Sequence, residues 1–177
     1  SNIIKSIKKV FTADSSIELS IVNPVEIDFN QLGLQDFVIL GELNLISQNL
    51  AIELFNLAER GKVVGIIPGA NIDQQNYNNS FKLWGEVKIQ SKDTSLSEIG
   101  NIQKSHSFFK DVFEARKTNK NIKESFPTLY MHYNLKPSLN SETIIFNEDG
   151  SPYLITSNNF YYFGSGFSKK QSNMEQK

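Results

Sequence analysis

The chain has 177 residues, no cysteine, and eighteen basic against nineteen acidic side chains, giving a formal charge of -1. That length holds one domain with a real core and no need of staples, and the near-neutral balance offers no long-range attraction to nucleic acid or anionic lipid. The missing thiols exclude thiol catalysis, disulfides and thiolate metal sites. They fit a reducing compartment, with the cytoplasm favoured, or an exported chain without bridges.

No apolar run approaches the roughly 20 residues of a membrane-spanning helix, so a soluble domain is expected. The chain opens Ser1-Asn2 without a Met, as a processed or excised segment would. Ile3, Ile4, Ile7, Val10 and Phe11 recur at helical spacing with Lys5, Lys8 and Lys9 between them, predicting a short amphipathic helix over 1–12. From Ile17 to Phe29 apolar residues alternate with Glu18, Ser20, Glu26 and Asp28. That is strand periodicity, interrupted by a turn at Asn23-Pro24.

Phe37 to Leu40 reads as a buried strand entering Gly41. Leu43, Ile46, Leu50, Leu54, Leu57 and Ala58 mark one face of a helix stopped by Gly61. Val63 to Ile67 returns as a strand, and the amide-rich stretch 71–80 (NIDQQNYNNS) reads as an exposed loop. Phe81, Leu83, Val87 and Ile89 alternate with polar residues, predicting a strand that turns Trp84 outward. Ser95-Leu96-Ser97-Glu98 has capping-box form and predicts a helix over 95–116 with a stripe of Ile99, Ile102, His106, Phe109 and Phe113.

Beyond Pro127 a β-meander is expected. Leu129, Met131 and Tyr133 alternate, Thr143 to Phe146 follows, Glu148-Asp149-Gly150-Ser151 turns the chain into Tyr153 to Thr156, and Asn158-Asn159 turns it into Phe160 to Phe163. Residues 169–177 read as a polar tail after a single domain spanning 1–168. Blocks of strands and helices, rather than strict alternation, predict an α+β fold: an antiparallel or mixed sheet of about six to eight strands with two main helices, near 43–60 and 95–116, packed on it.

Chemistry is sparse in this pattern. The two histidines, His106 and His132, have no second ligand at helical spacing, so no metal site is predicted. Gly164-Ser165-Gly166 lacks the third glycine and the helix of a dinucleotide fingerprint, no phosphate loop occurs, and no cofactor is expected. His132, on the face opposite Leu129, Met131 and Tyr133, could serve as a general base with Glu26 or Asp28 in a small-ligand or hydrolytic site. The leading reading is a non-catalytic protein-binding module: an adaptor, an inhibitor-type partner, or a subunit of a larger assembly, whose partner is another protein or a second copy of the chain. Its contact surface would be Trp84, Tyr130, Tyr161 and Tyr77. Lys5, Lys8, Lys9, Lys169 and Lys170 give no strong case for nucleic acid.

Overall fold

The computed structural model describes residues 2–12, 14–109 and 126–174. Helix α1 (Asn2–Phe11) leads through an irregular arm, which carries a 3-10 turn at Pro24–Glu26 and the one-turn helix α2 (Phe29–Leu32), into strand β1 (Phe37–Gly41). Helix α3 (Gln48–Glu59) connects β1 to β2 (Val63–Ile67), and helix α4 (Gln74–Trp84) precedes β3 (Lys88–Asp93) and β4 (Ser97–Ile102). After a 3-10 turn at Ser107–Phe109 come β5 (Thr128–Leu129), β6 (His132–Lys136), β7 (Glu142–Asn147), β8 (Pro152–Ser157) and β9 (Phe160–Phe163).

Seven strands form one mixed sheet in the order β1-β2-β9-β8-β7-β4-β5, and β3 pairs with β6 in a separate ribbon. β1, β2 and β9 run parallel, with Leu40 opposite Ile66 and Ile66 opposite Tyr162. The rest of the sheet is antiparallel. The fold is thus α+β around a mixed central sheet. The crossover through α3 is what permits β1 and β2 to lie parallel, because a hairpin cannot join parallel neighbours.

Alternation along β9 divides the interior in two. Phe160 and Tyr162 join Leu40, Val64, Ile66 and Ile155 in a cluster with α3 and α4. Tyr161 and Phe163 face a second cluster of Ile99, Phe109, Leu129, Ile144 and Leu154. On β1, Ile3 of α1 is buried above Gly41, where a Cβ would lie 3.1 Å from the Ile3 Cδ1. Helix α3 stops at Gly61, at a φ of 81°, as its sequence predicts, but it begins at Gln48 rather than near 43, where the Ser47 hydroxyl caps it by accepting from the Leu50 N–H.

Four expected elements differ. The arm 17–29 forms no strand, because Asn23 and Asp28 turn their side chains onto the local N–H groups of Val25 and Asn30, an alternative to a ladder that Asx residues favour. The stretch 71–80 is not a loop: Asp73 caps α4 by accepting from the Asn76 N–H at 2.9 Å. Tyr77, Ser80, Phe81 and Trp84 then fall at i, i+3, i+4 and i+7 on its buried face, so 81–84 is helix and not strand. The capping box at Ser95 is not used as one. Ser95 directs both its N–H and its hydroxyl to the Asp93 carboxylate, and the chain enters β4, so 95–109 holds no α-helix; residues 110–116 of that expected helix, with Phe113, lie outside the described residues.

The amides of α4 explain its unusual composition. The Asn76 side chain donates to the Ile46 carbonyl and accepts from the Ile46 N–H, while Asn78 makes the same pair of bonds with Ile89. Two asparagines therefore clasp the backbone on either side of the helix. The described polar residues after β9, which end at 174, are likewise structural rather than frayed, and 175–177 of the expected tail lie outside the described residues. Gln171 is buried, receives the N–H groups of Tyr130 and Met131 on its carbonyl, and donates its side-chain amide to Pro68. Ser172 bridges Leu129.

Trp84 closes the first cluster. Its ring stacks on Phe160 with centroids 4.7 Å apart, and its Nε1 donates to the Ala51 carbonyl at 2.8 Å. Replacing Trp84 by Ala is expected to cost about 3–5 kcal/mol, the range for removing a large buried aromatic. Trp84→Phe, which keeps a ring, should lose clearly less. Urea unfolding of the three proteins checks the order.

Candidate functional site

His132 opens β6 directly opposite Asp93 at the end of β3. It is only 3% exposed, so an expected surface placement is corrected, while the ring does stand apart from the core cluster that takes Met131, Tyr133 and Leu135. It lines a cleft of about 380 Å³ together with Asp93, Ser95, Leu96, Ser97, Glu148 and Asp149. Two turns supply the walls, one between β3 and β4 and one between β7 and β8. The carboxylates expected beside His132 are elsewhere. Glu26 ends the exposed 3-10 turn and Asp28 caps α2, so the sequence found the histidine and missed its neighbours.

The cleft is acidic and its aspartates are ordered. Asp93 accepts from the Ser95 hydroxyl at 2.6 Å and the Ser95 N–H at 2.8 Å, and these bonds, helped by the nearby imidazole, hold its carboxyl below the usual range. Asp149 is held down in the same way, first by Ser151, with His132 again assisting. Among the described residues the buried Nδ1 of His132 has no hydrogen-bond partner. Nucleophilic catalysis of the Ser-His type needs the hydroxyl directed at the imidazole. Here the Ser95 hydroxyl proton goes to Asp93 instead. Among the described residues no group of three or more His, Asp or Glu side chains converges to hold a metal ion.

His106, expected within a helical stripe, stands in the loop before the second 3-10 turn. Its Nε2 lies 3.3 Å from Glu142 and its Nδ1 accepts from the Phe108 N–H, which makes it a packed and partnered ring.

A second concavity, of about 530 Å³, lies at the carboxyl ends of β1 and β2, where open sheets with parallel strands usually present ligand crevices. Lys92 crosses it to donate to the Ala70 carbonyl at 2.7 Å, and the Tyr133 hydroxyl donates to Gly69 at 3.0 Å while receiving the Ile72 N–H at 3.5 Å. These bonds pin the chain that feeds α4, so the cations and hydroxyls of the crevice are largely occupied by the fold itself.

The aromatic candidates separate. Trp84 and Tyr77 are fully buried, and their expected outward placement is corrected: Tyr77 packs on Phe81 and donates its hydroxyl to the Leu43 carbonyl. Burial raises the Tyr77 hydroxyl far above its ordinary pKa, as suits a neutral core donor. Tyr161 is half-buried against Phe108, and Tyr130 remains exposed.

Two outcomes are expected from this geometry. Tyr133→Phe should destabilise the protein by about 1–2 kcal/mol, since it leaves the Gly69 carbonyl without its buried donor; thermal or urea unfolding measures it. Because the folded pKa values of Asp93 and Asp149 are depressed, the stability they contribute is present above the ordinary aspartate pKa and lost as pH falls through the lower folded values. The Ser95 and Ser151 amide signals in an NMR titration should therefore keep their hydrogen-bonded positions at pH values near 4, about the unperturbed aspartate value, and move only in stronger acid.

Among the described residues no helix is long and apolar enough to cross a membrane. No family model matches the chain, and no curated protein sequence matches it. Its likeness is to solved structures. Cytoplasmic Protein STM1381 from Salmonella typhimurium LT2 superposes with a TM-score of 0.62 at 15% identity over 84% of this chain and 67% of that one. Cytoplasmic Protein STM3548 from Salmonella typhimurium gives 0.58 at 10% identity over 80% of this chain and 65% of that one. The N-terminal domain of mmIFT52 gives 0.59 at 12% identity, covering 91% of this chain and 80% of that one. The chain spans about two thirds of the length of the two Salmonella proteins. At these identities the likeness is one of fold: this chain shares its α+β architecture with two proteins titled cytoplasmic and with one domain of a longer protein.

Proposed function

We propose that this chain is a non-catalytic protein-binding module of the cytoplasm, acting within a larger assembly, and that its docking surface is the arm over 14–36 together with edge strand β1. The observation that carries this reading is the concentration of exposed large apolar side chains in one stretch. Ile17, Ile21, Val22, Val25, Phe29, Leu34 and Phe37 all stand in water, with Val25 87% and Leu34 72% exposed. Scattered exposed apolar residues need no explanation, but so many within one stretch support an interaction surface there. β1 lies at the end of the sheet order, so its outer edge is a template for a further strand. The mmIFT52 neighbour is one domain of a longer protein, and the Salmonella neighbours, named as cytoplasmic proteins, support the cytoplasmic reading. Of the four aromatics expected at the contact surface, the reading keeps Tyr130 as an exposed ring and moves the centre of the surface to the arm.

The double variant Val25→Glu with Leu34→Glu tests it. Both side chains are exposed, so unfolding should shift by no more than about 0.5 kcal/mol each. Wild-type protein immobilised in lysate of its own organism should retain a stoichiometric protein, identified by mass spectrometry, and the variant should retain at least tenfold less. Equal retention by both proteins, or a wild type that holds no protein and stays monomeric at high concentration, removes the reading.

A further inference from the structure

We infer that the cleft beneath His132 is a binding site for an organic cation, the ammonium or guanidinium group of a lysine- or arginine-like side chain. The site lies apart from the proposed docking arm: the arm adjoins β1 at one end of the sheet order, and the cleft is walled by turns adjoining β4 and β7 toward the other.

Three observations point to a donor-rich guest. The groups that meet in the cleft are acceptors: the carboxylates of Asp93, Glu148 and Asp149 with the hydroxyls of Ser95 and Ser97, and no lysine or arginine lines it among the described residues. Within this acidic wall the almost wholly buried His132 keeps a ring nitrogen that has no partner among the described residues, while the other histidine is bonded at both nitrogens. Buried polar atoms are nearly always partnered, so an unpartnered imidazole nitrogen in a ring that lines a cleft points to a hydrogen-bonding guest there. The third observation is Leu96 on the rim, 74% exposed. An aliphatic stem laid along Leu96 would carry a charged head inward, the way long basic side chains bury their methylenes and keep their charge among polar groups.

An organic cation fits better than a metal ion. A small divalent ion needs several ligand atoms at about 2.0–2.6 Å around one point, and among the described residues no three His, Asp or Glu side chains converge in that way. Ammonium and guanidinium donors reach acceptors spread around a wider ring, at ordinary hydrogen-bond lengths near 2.7–2.9 Å. Ser95 and Ser151 fix Asp93 and Asp149 in place beforehand, so little order is left to be imposed when the guest arrives.

The protein has only two histidines, which makes the test direct. Imidazole signals of His132 in the full chain would be followed by NMR during titration with N-acetyl-lysine methylamide and N-acetyl-arginine methylamide, with His106 as internal reference. N-acetyl-norleucine methylamide serves as the uncharged control and zinc and magnesium chlorides as metal arms. A saturable shift of His132 alone with the lysine or arginine probe is expected, absent with norleucine and weakened at least tenfold by Asp93→Asn with Asp149→Asn. Glu148→Gln, whose parent side chain is exposed on a turn, gives the same reading in a second background and should weaken binding at least threefold. No shift, an equal shift with norleucine, unchanged affinity in both variants, or a response to metal ions alone overturns the proposal. None of these results bears on Val25 and Leu34, so this site and the docking arm stand or fall separately.

Discussion

Helix α4 ends on Trp84, whose ring lies flat on Phe160 of β9 while its indole N–H reaches the Ala51 carbonyl of α3, so one side chain ties two helices to the parallel part of the sheet. The arrangement depends on α4 entering at one depth and one rotation. Phe81 then meets Tyr162 edge-on at 4.7 Å, and Tyr77 reaches the Leu43 carbonyl. Aromatic pairs of this kind add to the burial of their own area, and here they are stacked along one face of a single short helix.

The backbone around that face is held by amides. The Asn158-Asn159 turn, with both residues at positive φ, sends one side chain to the last carbonyl of α4, at Trp84, and the other to Ala58 in the last turn of α3. A hairpin turn of the β-meander therefore also caps two helices, satisfying carbonyls that a helix end leaves open. This coupling places β9 beneath both helices and brings the segment after it, Gly164 to Ser172, against Pro68 and the start of β6. β6 in turn carries His132 to the acidic cleft.

Much of this was legible in the chain where local pattern and tertiary fate agree. β1 and β2 read as short apolar runs, α3 as a helical stripe closed by Gly61, and the meander over 142–163 as apolar segments between turn signals. α4 misled the reading, since alternation at Phe81, Leu83, Val87 and Ile89 spans a helix end and a strand start, and only Tyr77, Ser80, Phe81 and Trp84 taken together show the helical stripe. The arm over 17–29 alternates with no strand to pair with, and alternation alone does not make a ladder. His132 was singled out, but Asp93 and Asp149 come from turns far from it in sequence and were not; the Asp-x-Ser pattern shared by Asp93–Ser95 and Asp149–Ser151 was the available signal.

The clasps on α4 are carboxamides, and carboxamides do not titrate. Asn76 and Asn78 bond to Ile46 and Ile89 through neutral groups, so neither acidity nor added salt loosens the seat of the helix by altering their charge. The acid-sensitive hydrogen bonds of Asp93 and Asp149 lie instead in the turns that wall the cleft, so the response of the fold to acid is expected there and not at the clasps.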